Sequence, residues 1–240
     1  MKIIEKFKAK QADKHNQPPV TIAFLGDSVT QGCFEVYIDS SGDVETVFDK
    51  NSAYHNHLAK ILTILYPNVP VNMINAGISG DNAPHGFERL SRDVLPFSPD
   101  LVVVCFGLND CGQGAEGLQK YTDALGDIFR ALKEKDIEVI FMTPNMMNTS
   151  ISPHISDERI INIAKFTQTN QLNGVLDMYM EAALKVCNEH GVPVCDCYAK
   201  WKKLSNGGVE ITELLSNKIN HPTRDMNWMF AYSLAEMLFE

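Results

Sequence analysis

The chain has 240 residues, enough for one well-buried core, and its 45% hydrophobic and 21% charged content is that of an ordinary soluble globular protein. Its 21 basic residues are outnumbered by 30 acidic ones, a net charge of −9, and only Lys200, Lys202 and Lys203 cluster, which argues against a nucleic-acid or anionic-membrane partner. No apolar stretch has the length to cross a bilayer, and Met1 to Lys14 carries lysines with only short apolar pieces rather than a secretory signal, so a cytoplasmic protein without membrane insertion is expected.

Strand-like apolar runs alternate with helical patterns. Val20 to Leu25 reads as a buried parallel strand, and Gly26-Asp27-Ser28 as the tight turn at its carboxyl end. In open α/β sheets ligands bind at that edge, and a serine there holds its hydroxyl over the crevice. Phe34 to Ile38 and Val44 to Phe48, around Asp39-Ser40-Ser41-Gly42-Asp43, predict a β-hairpin insertion over about 34–48, a plain surface hairpin first, with covering the cleft or meeting another copy in a homo-oligomer as its second use. A helix is expected over about 53–66 with Leu58, Ile61, Leu62 and Leu65 on one face. The second strand falls at Val71 to Asn75, a short helix at about 86–95, and the third strand at Leu101 to Phe106 after the turn residues Ser98-Pro99-Asp100.

The next helix, over about 118–135, aligns Leu118, Tyr121, Leu125, Ile128, Phe129 and Leu132. Strand four is Glu138 to Met142. The polar stretch Asn145 to Pro153 leads to a helix that Ser156 is placed to cap, with Asp157 and Glu158 in its first turn. A helix over about 174–189 ends at His190-Gly191, a short fifth strand follows at Val192 to Val194, and the last helix runs over about 224–239, burying Met226, Met229, Phe230, Leu234, Met237 and Leu238. The alternation predicts an α/β fold, a mostly parallel five-stranded sheet with helices on both faces, with residues 1–240 as one domain.

The six cysteines are expected as free thiols in a reducing compartment. Cys195-Asp196-Cys197 lacks the two-residue gap of a zinc knuckle and has no partner pair, so no metal is expected. No cofactor is expected either, because Gly26 to Gly32 lacks the Gly-Lys-Ser/Thr ending of a nucleotide loop.

Four loops carry residues fit for chemistry: Gly26-Asp27-Ser28, Asn75-Ala76-Gly77-Ile78-Ser79-Gly80-Asp81, Gly107-Leu108-Asn109-Asp110 and Asn220-His221-Pro222. They supply a hydroxyl, a glycine amide, a carboxamide and an imidazole, which is the inventory of acyl transfer. A serine hydroxyl needs a neighbouring base to take its proton. The tetrahedral intermediate needs donors aimed at its oxyanion, for which Ser28 N–H, Gly77 N–H and Asn109 Nδ2 are the candidates. Taken singly each residue has a simpler use: Asp27 holding its own turn, Asn109 and Asp110 as turn residues, Gly77 and Gly80 as hinges, His221 preceding a helix. Their recurrence across four loops favours catalysis.

These blocks, in this order and spread from residue 26 to residue 222, resemble the motif blocks of the GDSL-type (SGNH) hydrolases, serine esterases and acylhydrolases on a flavodoxin-like three-layer α/β/α fold. The resemblance implies Ser28 as nucleophile, Gly77 and Asn109 with Ser28 N–H as oxyanion donors, and His221 as general base, with Asp27 and Asp110 as candidate supporting residues. Two positions depart from the pattern. Val29 stands where leucine is usual, and Lys218 stands three residues before the histidine, where the family has an aspartate. A backbone carbonyl or water is the favoured substitute orienter, ahead of Glu210, Glu213 or Asp225; a slow site is the third outcome.

The expected activity is hydrolysis of small soluble carboxylic esters, an O-acetylated carbohydrate among them, with Asn145 and Met146 as candidate substrate contacts. An acyltransferase on the same site and a non-catalytic flavodoxin-like binding module are the alternatives.

Overall fold

The computed structural model describes residues 1–240. Helix α1 (Lys2–Ala12) leads into strand β1 (Val20–Gly26), the one-turn helix α2 (Ser28–Gln31), the hairpin strands β2 (Cys33–Ile38) and β3 (Val44–Phe48), and helix α3 (Tyr54–Leu65). Next come β4 (Val71–Gly77), α4 (Ala83–Asp93), β5 (Leu101–Cys105), α5 (Leu118–Lys133) and β6 (Glu138–Met142). The remaining elements are α6 (Glu158–Leu172), α7 (Val175–His190), β7 (Val194–Cys195), α8 (Cys197–Asn206) and α9 (Asn227–Leu238).

Five strands form one parallel sheet in the order β4-β1-β5-β6-β7, the middle layer of a three-layer α/β/α arrangement. Every residue of β1 and β5 is buried, which is why their sequences run apolar without alternation, whereas the edge strand β4 is partly exposed and accommodates Asn72 and Asn75. In chain order within the sheet the strands lie 2-1-3-4-5, so the switch point falls between β1 and β5, where this topology opens a crevice. The register sets Gly26 beside both Gly77 and Cys105, bringing the three loops that follow these strands to one edge.

The predicted hairpin forms as an antiparallel pair outside the main sheet, its base buried at Cys33 and Phe34 and its far end exposed. Several boundaries differ from expectation. Leu65 faces solvent because α3 turns Leu58 and Leu62 inward together with Tyr54, His55 and His57. Asp157 rather than Ser156 caps α6, its carboxylate accepting Arg159 N–H. Helix α4 starts earlier, at Ala83, because Asn82 caps it and Pro84 fits its first turn. The fifth strand pairs through Val194 and Cys195 instead of ending at Val194, and α9 starts only at Asn227 with Met226, Met229 and Met237 partly buried. Besides the single turn α2, two helices have no counterpart among the expected elements. Helix α1 buries Ile3, Ile4 and Phe7 among its lysines, with Phe7 stacked on Tyr66 at 4.7 Å, and α8 begins where Asp196 accepts Ala199 N–H.

Candidate active site

Asp27 sets the position of Ser28. Its Oδ1 accepts Val29 N–H at 3.0 Å, capping α2, and Ser28 becomes the first helical residue, 4% exposed, at the end of β1. Strand β4 closes against this turn so tightly that a Cβ on Gly77 would lie 2.2 Å from Gln31 N. Gly77 is therefore glycine for close approach.

The imidazole arrives from residues 215–223, a loop closed by a bridge between Leu215 and Pro222. Asn217 organises it: one carboxamide oxygen accepts the N–H groups of Ile219, Asn220 and His221. Asn145 Nδ2 donates to Asn220 O at 2.8 Å, and Asn148 N–H donates to Ile219 O at 2.8 Å, fastening the loop to the segment after β6. His221 is thereby held with Nε2 3.0 Å from Ser28 Oγ and Nδ1 2.9 Å from Phe34 O.

A carbonyl oxygen only accepts, so Nδ1 carries the ring hydrogen and Nε2 presents its lone pair to the Ser28 hydroxyl, which donates. This is the tautomer a general base requires. Burial lowers the His221 pKa from its ordinary value, against the opposing pull of the Phe34 carbonyl and of the Glu35 charge, so the imidazole is neutral at neutral pH. Lys218 has a left-handed backbone (φ 59°), and its ammonium pairs with Glu213 at 2.8 Å instead of reaching the imidazole. Glu210 is taken up by Thr149, Ser150 and Thr212, and Asp225 is exposed. The atom that meets His221 Nδ1 is the main-chain oxygen of Phe34.

The set of expected oxyanion donors needs one revision. Gly77 N–H is already accepted by Asn75 Oδ1 at 3.0 Å, which removes it as a ready oxyanion donor. Gly80, in the same loop, has a positive φ of 79°, open space where a Cβ would stand, and an N–H with no acceptor in the protein. Asn109 Nδ2 gives one hydrogen to Asp81 O at 2.7 Å, tying the loop after β5 to the loop after β4 and leaving its second hydrogen uncommitted. Beneath the loop after β4 lies Arg89 of α4, which no motif in the sequence marks. Buried, it donates to Asp81 Oδ2 at 2.6 Å, to Ala76 O at 2.6 Å and to Gly26 O at 2.9 Å, joining the ends of β1 and β4.

Asn145 is fully buried and serves the histidine loop, its carboxamide nitrogen donating to Asn220 O, while Met146 is 4% exposed, as Ser28 is. Asp110 holds the start of α4 by accepting Ala83 N–H, and burial pushes its pKa up to about 6.

Burial likewise pushes the Asp27 carboxyl up to about 7 from an ordinary 3.8, with the charges of Asp110 and Asp81 adding to the rise. A carboxyl with a raised folded-state pKa binds its proton more tightly when folded. Its stabilisation is complete below 3.8, shrinks as pH rises, and is gone above about 7. Asp27→Asn keeps an oxygen for Val29 N–H and carries no charge. Urea denaturation is expected to show the variant gaining on the wild type between pH of about 4 and 8.5 by roughly 4 kcal/mol. A difference that does not change with pH would contradict the burial of an ionisable Asp27.

A polar cavity of about 380 Å³ adjoins Asn109, with Asn82, Gln113, Glu116 and Lys120 on its walls. All six cysteines are free and buried, and no helix is long and apolar enough to cross a membrane.

Comparison with known proteins places this geometry in context. A sequence model of the GDSL-like Lipase/Acylhydrolase family matches residues 24–228. An acetylxylan esterase of Geobacillus stearothermophilus is 28% identical over 89 residues, which are 37% of this chain and 39% of that protein. A two-domain esterase active on acetylated mannans superposes with a TM-score of 0.67 at 18% identity, over 99% of this chain and 51% of that one. The acetyl xylan esterase AlAXEase superposes with a TM-score of 0.67 at 20% identity, over 91% of this chain and 100% of its own. The match therefore spans less than two thirds of the length of the first two relatives.

Proposed function

The chain belongs to the GDSL-like lipase/acylhydrolase family, and from that premise we propose that it is a serine ester hydrolase that removes small acyl groups, acetyl above all, from polar alcohols such as carbohydrates. The observation that carries the reading is the pair of contacts at His221: Nε2 to Ser28 Oγ at 3.0 Å and Nδ1 to Phe34 O at 2.9 Å. Ser28 Oγ attacks the ester carbonyl carbon as its proton passes to His221 Nε2. The oxyanion is met by Ser28 N–H, Gly80 N–H and Asn109 Nδ2, with Gly80 taking the role first assigned to Gly77. The tetrahedral intermediate collapses as the imidazolium returns the proton to the leaving alcohol oxygen, giving free alcohol and an acyl-Ser28 ester. Water then attacks that ester, loses a proton to Nε2, and the carboxylic acid departs as Ser28 recovers its hydrogen.

Asn109 also lines a cavity walled by carboxamides, a carboxylate and an ammonium, groups that hydrogen-bond sugar hydroxyls; neither Ser28 nor His221 is among its walls, and the link to the site is Asn109 alone. The relatives named for acetylated xylan and mannan point the same way. Six unpaired thiols fit a reducing, cytoplasmic setting. The test is a p-nitrophenyl ester series from acetyl to decanoyl alongside acetylated xylo- and manno-oligosaccharides. Turnover is expected to fall with chain length and acetate to be released from the oligosaccharides. A steady rise toward decanoyl would overturn the small-acyl reading.

A further inference from the structure

Phe34, whose carbonyl holds the imidazole, belongs to no strand of the main sheet. It sits at the base of a two-stranded ribbon, and such a ribbon is only marginally stable by itself. The Ser28–His221 geometry therefore depends on what fixes that base. We infer that Arg224 is a positioning residue for the His221 imidazole, acting through the base of the β2–β3 hairpin; this rests on the ester-hydrolase reading of the site.

Arg224 follows His221 by three residues, so the imidazole and the guanidinium reach the hairpin from one segment. The guanidinium lies over the Phe34 ring, 4.4 Å from its centroid. Nη1 and Nη2 donate to the two carboxylate oxygens of Glu35 at 2.5 and 3.1 Å, and Nε donates to Asp49 Oδ2 at 2.9 Å. One side chain thus grips the residue that offers the carbonyl, its neighbour on β2, and the residue just past β3. The strand ends are also joined directly, Asp49 N–H donating to Gly32 O at 2.9 Å, while Arg159 donates to Gly42 O at 2.7 Å at the far end. Of these ties, that of Arg224 alone reaches Phe34 itself.

The arginine side chain is 39% exposed and that of Glu35 44% exposed, and exposed ion pairs do little for global stability. A planar fork that is at once bidentate and stacked does fix direction, and lysine offers neither property. The carbonyl is held in line with Nδ1, and the imidazole with the Ser28 hydroxyl. Glu35 also brings its charge close enough to favour protonation of His221, a part the absent aspartate would otherwise play.

The test compares wild type with Arg224→Ala and Arg224→Lys in the full chain. With p-nitrophenyl acetate, kcat is expected to fall about 10²-fold in both variants while KM stays within about twofold, since a displaced base slows chemistry without changing what binds. In protein labelled with ¹⁵N-histidine, the His221 Nδ1–H should give a low-field proton resonance in the wild type that is lost in both variants. A kcat within about threefold of wild type, or a resonance retained in Arg224→Ala, would overturn the inference. Should Arg224→Ala fail to fold, the variant carrying Glu35→Gln and Asp49→Asn removes both carboxylate partners and is expected to show the same two losses; full kcat there would overturn it as well. The resonance needs no turnover, so it is read separately from the parent hypothesis. A wild type whose Ser28 takes up no fluorophosphonate would refute the hydrolase reading and leave the clamp to be decided by the spectrum.

Discussion

Ser28→Ala is expected to lower kcat by on the order of 10⁶ and to abolish the mass increase that a fluorophosphonate leaves on the intact chain. The loss is near total because no other hydroxyl is placed to replace Oγ. Thr30, the next hydroxyl along α2, is paired with Tyr54 OH at 2.9 Å and faces α3. The fold should be untouched, since the Ser28 side chain makes a single hydrogen bond, to His221. An unchanged melting temperature with vanished turnover therefore identifies a chemical role. Activity of Ser28→Ala well above the uncatalysed rate would end the covalent mechanism.

His221→Gln is expected to cost on the order of 10⁵ to 10⁶ in kcat, and the double variant with Ser28→Ala to be no slower than either single one, because nucleophile and base act as one unit. Glutamine keeps a donor for Phe34 O and fills much of the ring's volume, so it separates loss of the base from loss of packing. The pH profile supplies the second reading. Protonated imidazole cannot accept the serine proton, so wild-type kcat/KM falls as pH drops through the His221 pKa. Burial sets that pKa below its ordinary 6.5, so half-maximal activity lies on the acid side of 6.5. Residual activity of His221→Gln should lack this limb. An unaltered profile would take His221 out of the proton transfer.

The sheet was legible because strands buried on both faces run almost wholly apolar, as in Val20–Gly26, where Thr21 alone is polar, and Leu101–Cys105. The site loops were legible because each sits where such a strand stops, and the switch point between β1 and β5 draws Ser28 and Asn109 to one edge. Lys218 in place of an aspartate pointed to a backbone carbonyl as the partner of His221 Nδ1, but not to which one, since Phe34 reads as one more apolar residue of a hairpin. Gly77 and Gly80 stand three apart in one loop, and what distinguishes them is the Asn75 carboxamide occupying the amide of one and not the other. Asn145 reads as a substrate contact because it is a polar residue just past β6, but its burial follows from the carbonyl of Asn220 that it satisfies. Helix α1 was hidden by its lysines, one of which, Lys10, folds back onto the carbonyl of Lys14.

The use of a peptide oxygen to hold the imidazole also changes how the site can be damaged by inheritance. A carboxylate orienter disappears with a single nucleotide substitution in its codon. The oxygen of residue 34 is present whatever amino acid the gene specifies there, and Lys218 takes no part in the proton transfer. Heritable loss of this contact instead acts through what places the ribbon: substitution of Arg224, or insertions and deletions between Gly32 and Asp49.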